Sequence, residues 1–299
     1  MPATLGIVIV AYRCDELLRA CLASLLATAA PKLQVIVVDN ASSPATRRLV
    51  QGYATVTSYV DAGGNVGFAK ASNIGAAALA TEYVLFLNPD TIVPAHALRL
   101  CVSELARRPD VGILGCKLVR ADGSFDHAAK RGLPTPAASL AYLLGLDRLA
   151  PRHLGGYCAL SLGPDETGPV AAVNGAFMLM RRSTFEAVGG FDEDFWMYGE
   201  DLDLCLRVSQ RSQSVLYWPG ATVRHLKGGA SSGRASSRVD LAFYASMRLF
   251  FDKHLAPTRA LPTRIVVRAG IACLRIASRF RRRLTGARLD VRSDAGGAP

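Results

Sequence analysis

The sequence predicts an α/β fold: a single, mostly parallel, doubly wound sheet with flanking helices. Three observations lead there. Short apolar runs such as Leu5–Ala11 and Tyr83–Leu87 are continuous rather than alternating, which suits strands buried on both faces. Between them lie segments with apolar residues at helical spacing, for instance Leu17, Leu18, Cys21, Leu22, Leu25 and Leu26. The two patterns then alternate as far as residue 117, which is how parallel strands joined by right-handed crossovers read.

In order, Leu5–Ala11 is the first strand, with no basic leader or cleavage site before it, so no secretory signal is expected. Residues 15–28 follow as a helix with Asp15 near its start, then 33–38 as a second strand ending at Asp39-Asn40-Ala41-Ser42. A helix over 46–53 and a strand over 56–60 lead to the turn Ala62-Gly63-Gly64-Asn65-Val66-Gly67-Phe68 and a small-residue helix over 69–80. Tyr83–Leu87 runs into Asn88-Pro89-Asp90, where Pro89 cannot donate a ladder hydrogen bond and the strand should stop. A helix over 95–108 and a strand over 111–117 complete this half.

From residue 120 to about 171 the pattern weakens, punctuated by Pro134, Pro136, Pro151, Pro164 and Pro169; it reads as an insertion with a short helix over 140–149. Order returns with a strand over 172–180 carrying Asn174-Gly175, a helix opening near Gly199, and a last strand over 214–218. The Gly/Ser-rich loop 228–238 is expected to be mobile, and 239–254 is a helix.

The chain has 299 residues and a formal charge of +11, most of it in residues 256–299, where ten arginines face two aspartates. At about 100° per residue, Arg264, Arg268, Arg275, Arg279 and Arg282 fall within roughly 60° of arc, away from Ile265, Val267, Ile271, Leu274 and Ile276. Two readings of this basic amphipathic helix stay open: it lies on an anionic membrane surface through 264–284, or it docks its apolar face on the domain. No aromatic stacking platform accompanies the arginines, so nucleic acid is not expected as a partner. Residues 290–299 are expected to be disordered. Seven cysteines without CxxC spacing suit buried thiols in a reducing compartment, and no apolar run is long enough to span a bilayer. The expected location is cytoplasmic, peripheral on the inner face of the cell membrane.

Asp39 and Asp90 both sit just past strand ends on one edge of the sheet, where open α/β sheets bind ligands. A carboxylate at Asp39 can accept hydrogen bonds from a nucleobase or ribose. One at Asp90 can hold a divalent cation on a phosphate, or merely close an Asx-turn. The glycines of 63–67 permit close backbone approach, but their spacing is not GxGxxG and no GxxxxGK[ST] loop occurs, which disfavours dehydrogenases and P-loop enzymes. Glu200 and Asp201 fall in the first turn of a helix, where negative charge is favoured. Asp203 and Arg207 are i,i+4 neighbours suited to an ion pair. Asp201 is either a helix cap or a catalytic acid-base group. His225 gains interest only from its company.

With these residues assembled, the chain resembles the family 2 inverting glycosyltransferases of GT-A fold, in their rhamnosyltransferase-like branch. The matching pieces are VIVVDNAS (35–42), GGNVGFAKASNIG (63–75), YVLFLNPD (83–90), VNGAFMLMRR (173–182), GGFDEDFWMYGEDLDLCLR (189–207) and YWPGATVRH (217–225), in family order. The resemblance implies a nucleotide-binding half over 1–118, a variable insertion over 119–171, an acceptor and catalytic half over 172–255, and a basic tail over 256–299. It implies a nucleoside-diphosphate sugar donor contacted by Asp39, Asn65, Lys70 and Asn88. It places Asp90 and His225 as ligands of a divalent cation, Mg²⁺ or Mn²⁺, with Asn88 standing where the family's metal motif has its first acid. Asp201, with Glu200 beside it, matches the general base. The implied reaction moves a sugar, rhamnose from dTDP-rhamnose above all, to a glycan or polyprenyl-diphosphate-linked acceptor. Sugar nucleotidylyltransferases share the sheet but resemble a basic, glycine-rich loop after the first strand, which 11–16 lacks. A non-catalytic nucleotide-sugar-binding protein at the membrane surface is the other alternative.

Overall fold

Burial decides the strands. In the computed structural model, which describes residues 4–27, 33–143, 156–226 and 237–293, every residue of β1 (Leu5–Ala11) is buried. After α1 (Asp15–Leu26) come β2 (Leu33–Asp39), α2 (Pro44–Gln51), β3 (Ser58–Asp61), α3 (Phe68–Ala77) and the fully buried β4 (Tyr83–Leu87). Then follow β5 (Thr91–Ile92), α4 (Ala97–Ala106), β6 (Val111–Val119), β7 (Lys130–Arg131), α5 (Pro136–Leu143), β8 (Gly168–Pro169), β9 (Ala172–Val173) and β10 (Phe177–Arg181). The last elements are α6 (Arg182–Ala187), α7 (Glu200–Ser209), β11 (Ser214–His225), α8 (Ser237–Phe250) and α9 (Leu261–Ser293).

One nine-stranded sheet runs β3-β2-β1-β4-β10-β6-β11-β5, with β8 also on β11, and β7 pairs β9 in a separate two-stranded sheet. The pairs β3-β2, β2-β1, β1-β4 and β6-β11 are parallel; β10 is antiparallel to both β4 and β6. Register brings the functional edge together. Ala11 lies opposite Asp39, Asp39 opposite Asp61, and Phe177 opposite Leu87. His225 pairs with Thr91, one residue beyond Asp90.

Several sequence expectations shift. The expected strand over 172–180 is two strands, because Asn174-Gly175-Ala176 turns aside: Asn88 N–H donates to the Ala176 carbonyl, and Phe177 starts a new ladder. The expected strand 214–218 continues to His225 through Pro219-Gly220, with a register shift between Trp218 and Thr222 that lets proline sit within it. The helix expected over 46–53 starts earlier, since Ser43 Oγ caps the Thr46 N–H and Pro44 suits the first turn. Of the helix expected over 140–149, α5 supplies residues to Leu143; the remainder, like Thr28 and most of the 228–238 loop, lies outside the described residues. The helical pattern of 239–254 tightens from α8 into one π turn at Phe251–Leu255.

The chain divides into two units, Met1–Arg234 and Ala235–Pro299. In the second, α9 runs to Ser293, so residues 290–293 are helical where disorder was expected; 294–299 lie outside the described residues. Arg268 Nε donates to Asp252 Oδ1 at 2.8 Å, and Arg264, Val267, Arg268 and Ile271 are half-buried, whereas Leu261, Ile265, Val266, Ile276 and Phe280 are exposed. Basic and apolar residues thus share one side of the helix rather than separating cleanly. Among the described residues no helix is long and apolar enough to cross a membrane.

Candidate active site

At the end of β2, Asp39 is fully buried and its carboxylate organises its own turn. Oδ1 accepts from Ala41 N–H at 2.9 Å, and Oδ2 accepts from Ser43 N–H and the Tyr59 hydroxyl, each at 2.8 Å. Burial first, then Asp39, holds the Tyr59 hydroxyl above its ordinary pKa. Asn40, absent from the sequence candidates, carries the glycine turn: its Oδ1 accepts from Val66 N–H at 2.9 Å and its Nδ2 reaches Asn65 Oδ1 and the Gly67 carbonyl, both at 3.3 Å. Gly67 has φ +92°, and a Cβ there would overlap the Trp196 carbonyl and ring. Glycine is therefore required for the glycine turn to meet the 189–199 loop. That loop is also clasped by Asn73, which donates to and accepts from the Phe191 backbone at 2.9 Å. Phe191 stacks edge-on against Phe86 of β4, centroids 4.7 Å apart. Lys70 is exposed on α3.

Asp90 and His225 meet where β5 pairs with β11. Nε2 of His225 lies 3.3 Å from Asp90 Oδ1, and Nδ1 lies 3.1 Å from Oδ2 of Asp126, another buried carboxylate missing from the sequence candidates. Burial works against charging the imidazole, but hydrogen bonds to Asp126 and Asp90 outweigh it and push its pKa up to about 9. Two carboxylates around one ring make a surplus of negative charge.

That donor set fits a divalent cation. Mg²⁺ is usually held by one or two protein groups plus substrate phosphates and waters, and an imidazole nitrogen makes Mn²⁺ more comfortable. Adjacent ligands on an octahedral ion with bonds of about 2.1 Å lie about 3 Å apart, close to the Asp90–His225 separation. Among the described residues no group of three or more His, Cys, Asp or Glu could hold a metal unaided. Asn88 adds structure: its carbonyl accepts from Thr91 Oγ1 at 2.7 Å.

Asp201 and Glu200 open α7. The chain enters through left-handed Tyr198 (φ 69°) and Gly199 (φ 82°), a conformation a tyrosine rarely adopts. Asp201 Oδ1 accepts from Leu202 N–H at 2.8 Å; Oδ2 accepts from Gly175 N–H at 3.1 Å and pairs with the Arg131 guanidinium. Burial opposes charge on Arg131, and the Asp201 carboxylate overrides it, raising the guanidinium above its ordinary range. Glu200 is buried beside them. Burial, then the Asp201 charge, pushes its carboxyl up to about 8, and its Oε2 makes no hydrogen bond among the described residues. Asp203 forms the expected ion pair with Arg207, at 2.6 Å.

The turn Asn174–Ala176 joins the two clusters, accepting from the Asn88 backbone on one side and donating to Asp201 on the other. Asp39, Asn65, Asn88, Asp90, Asp201, Glu200 and His225 all lie at or next to the edge where β1, β2 and β4 end. Asp126 and Arg131 come from the stretch between β6 and β7, whose sequence has neither helical nor strand periodicity. Nothing short of their pairing marks them.

Comparison with known proteins agrees. The model described as "Glycosyltransferase like family 2" matches residues 2–243. N-acetylglucosaminyl-diphospho-decaprenol L-rhamnosyltransferase of Mycobacterium tuberculosis is 32% identical over 288 residues, covering 91% of this chain and 92% of that protein. Rhamnosyltransferase WbbL of Escherichia coli is 29% identical over 201 residues, 64% of this chain and 72% of that one. Among solved structures, a mannosyltransferase from Pyrobaculum calidifontis in complex with GDP-Man and Mn²⁺ superposes with a TM-score of 0.60 at 20% identity, covering all of this chain and 77% of that one. The shared architecture is the GT-A fold.

Proposed function

The chain belongs to glycosyltransferase family 2, and from that premise we propose that it is an inverting, cation-dependent transferase. It moves a sugar from a nucleoside-diphosphate donor to a hydroxyl of a glycan or polyprenyl-linked acceptor in cell-envelope polysaccharide synthesis. L-rhamnose from dTDP-rhamnose is the preferred donor, supported by the two rhamnosyltransferase relatives, one of which is named for a decaprenol-linked acceptor. The alternative is another nucleotide sugar, such as a UDP-hexose.

The observation that carries this reading is the placing of two buried charged clusters at one sheet edge, joined by Asn174–Ala176. Asp201 takes the acceptor hydroxyl proton while the acceptor oxygen bonds to the anomeric carbon. On the opposite face the bond to the diphosphate oxygen breaks, and the nucleoside diphosphate leaves with the electron pair. One displacement inverts the centre and needs no covalent enzyme intermediate. Arg131 and Gly175 N–H hold the base in one orientation. Asp39 and the Asn40-braced glycine turn shape the nucleotide side, with Asn65, Lys70 and Asn88 nearby. Asp90 and His225 would hold the cation, which supplies Lewis-acid stabilisation of the departing diphosphate. The exposed apolar residues of α9, interleaved with arginine, support peripheral contact with an anionic membrane surface through 264–284, on the cytoplasmic side where such acceptors are extended.

Screening a panel of nucleotide sugars for acceptor-dependent diphosphate release, with Mn²⁺ or with EDTA, tests the reading. Release from dTDP-rhamnose only with Mn²⁺ is expected. No release from any donor would favour a non-catalytic binding protein.

A further inference from the structure

We propose that Asp126 is a positioning residue for the cation site: it fixes the tautomer and orientation of His225 so that Nε2 presents its lone pair beside Asp90. The inference rests on the cation reading above and adds a residue from a segment with no family motif.

Asp126 is fully buried and held at both ends. Its backbone N–H donates to the Leu118 carbonyl at 2.9 Å, and its Oδ1 accepts from Ala128 N–H at 3.1 Å. The remaining oxygen, Oδ2, therefore has one direction, towards His225 Nδ1 at 3.1 Å. A carboxylate there makes Nδ1 the donor. The neutral ring then has its lone pair on Nε2, the nitrogen 3.3 Å from Asp90 Oδ1. Carboxylates that accept from the far nitrogen of a metal-binding histidine fix its ring and strengthen it as a ligand, and losing them typically weakens metal binding about 10–100-fold.

The substitution Asp126→Asn inverts this logic with almost no change of shape. If the amide keeps its oxygen on Ala128 N–H, its NH₂ faces Nδ1 and drives the ring proton to Nε2. If it flips, it meets the Ala128 donor with another donor. Either way the lone pair beside Asp90 is lost or the cap is broken.

Mn²⁺ binding is measured by electron paramagnetic resonance in the presence of dTDP, with metal-free thermal unfolding as the check on folding. Asp126→Asn is expected to weaken Mn²⁺ about 10–100-fold. Wild-type affinity in the folded variant overturns the proposal. A wild-type protein that binds no Mn²⁺ overturns the cation reading itself, a different result. Should the variant not fold, ¹⁵N spectra of the wild-type histidines with Mg²⁺ and dTDP decide. A His225 proton on Nδ1 and none on Nε2 supports the assignment, and the reverse tautomer overturns it.

Discussion

Asp90, Asp126 and His225 on one side, and Glu200, Asp201 and Arg131 on the other, are each two buried carboxylates around one basic group. They dispose of their charge differently. In the first, the basic group is an imidazole whose proton is held only by its two acids, so a cation can take the proton's place. In the second, the basic group is a guanidinium that stays charged, and the surplus is removed by a proton on Glu200. The first suits a divalent cation and the second suits proton transfer. A transferase that detaches a diphosphate on one face of a sugar and activates a hydroxyl on the other needs both.

The largest expected effect breaks the second cluster. Asp201→Asn leaves a group that cannot take a proton, and steady-state kinetics should show kcat reduced about 10²–10⁴-fold. Dependence on Mn²⁺ should persist, because the other cluster is untouched. An equal loss of Mn²⁺ affinity would mean that the two are not separable. Removing the guanidinium by Arg131→Met leaves Asp201 buried without its counter-charge. Equilibrium urea unfolding should show a loss of about 3 kcal/mol.

A smaller effect tests the join between the halves. Gly67→Ala forces a side chain into a left-handed backbone position against Trp196, and should cost about 1–3 kcal/mol of stability with a raised KM for donor. Smallest is a pH effect at Glu200. A carboxyl whose pKa in the folded chain is about 8, against 4.5 ordinarily, binds more protons folded than unfolded between those values. Stability is therefore lost as pH rises from about 4.5 to 8. Glu200→Gln cannot ionise, so it should gain on the order of 1–2 kcal/mol over wild type at pH 8 and nothing at pH 4.5, read from thermal unfolding across that range.

Much of this was legible in the sequence for a physical reason. Continuous apolar strands such as Tyr83–Leu87 and capped turns such as Asp39–Ser43 are local patterns, and the sheet edge follows from them. The breaks at Asn174-Gly175 and Pro219-Gly220 were harder, since a turn between two strands and a bulge within one leave similar traces. Asp126 and Arg131 were not legible. Their meaning lies in partners 99 and 70 residues away, and the segment bearing them has no periodicity to place it. Asn40 lay inside a quoted motif, but its role appears only when the glycine turn folds back on it.

The account stands on both clusters serving one pocket. An anomalous difference map from crystals of the protein with dTDP and Mn²⁺ tests this most directly. The manganese peak should lie between Asp90 and His225 Nε2, against the diphosphate, with Asp201 across the space the sugar would fill. A peak elsewhere, or a nucleotide bound with Asp201 facing away from it, would contradict the account.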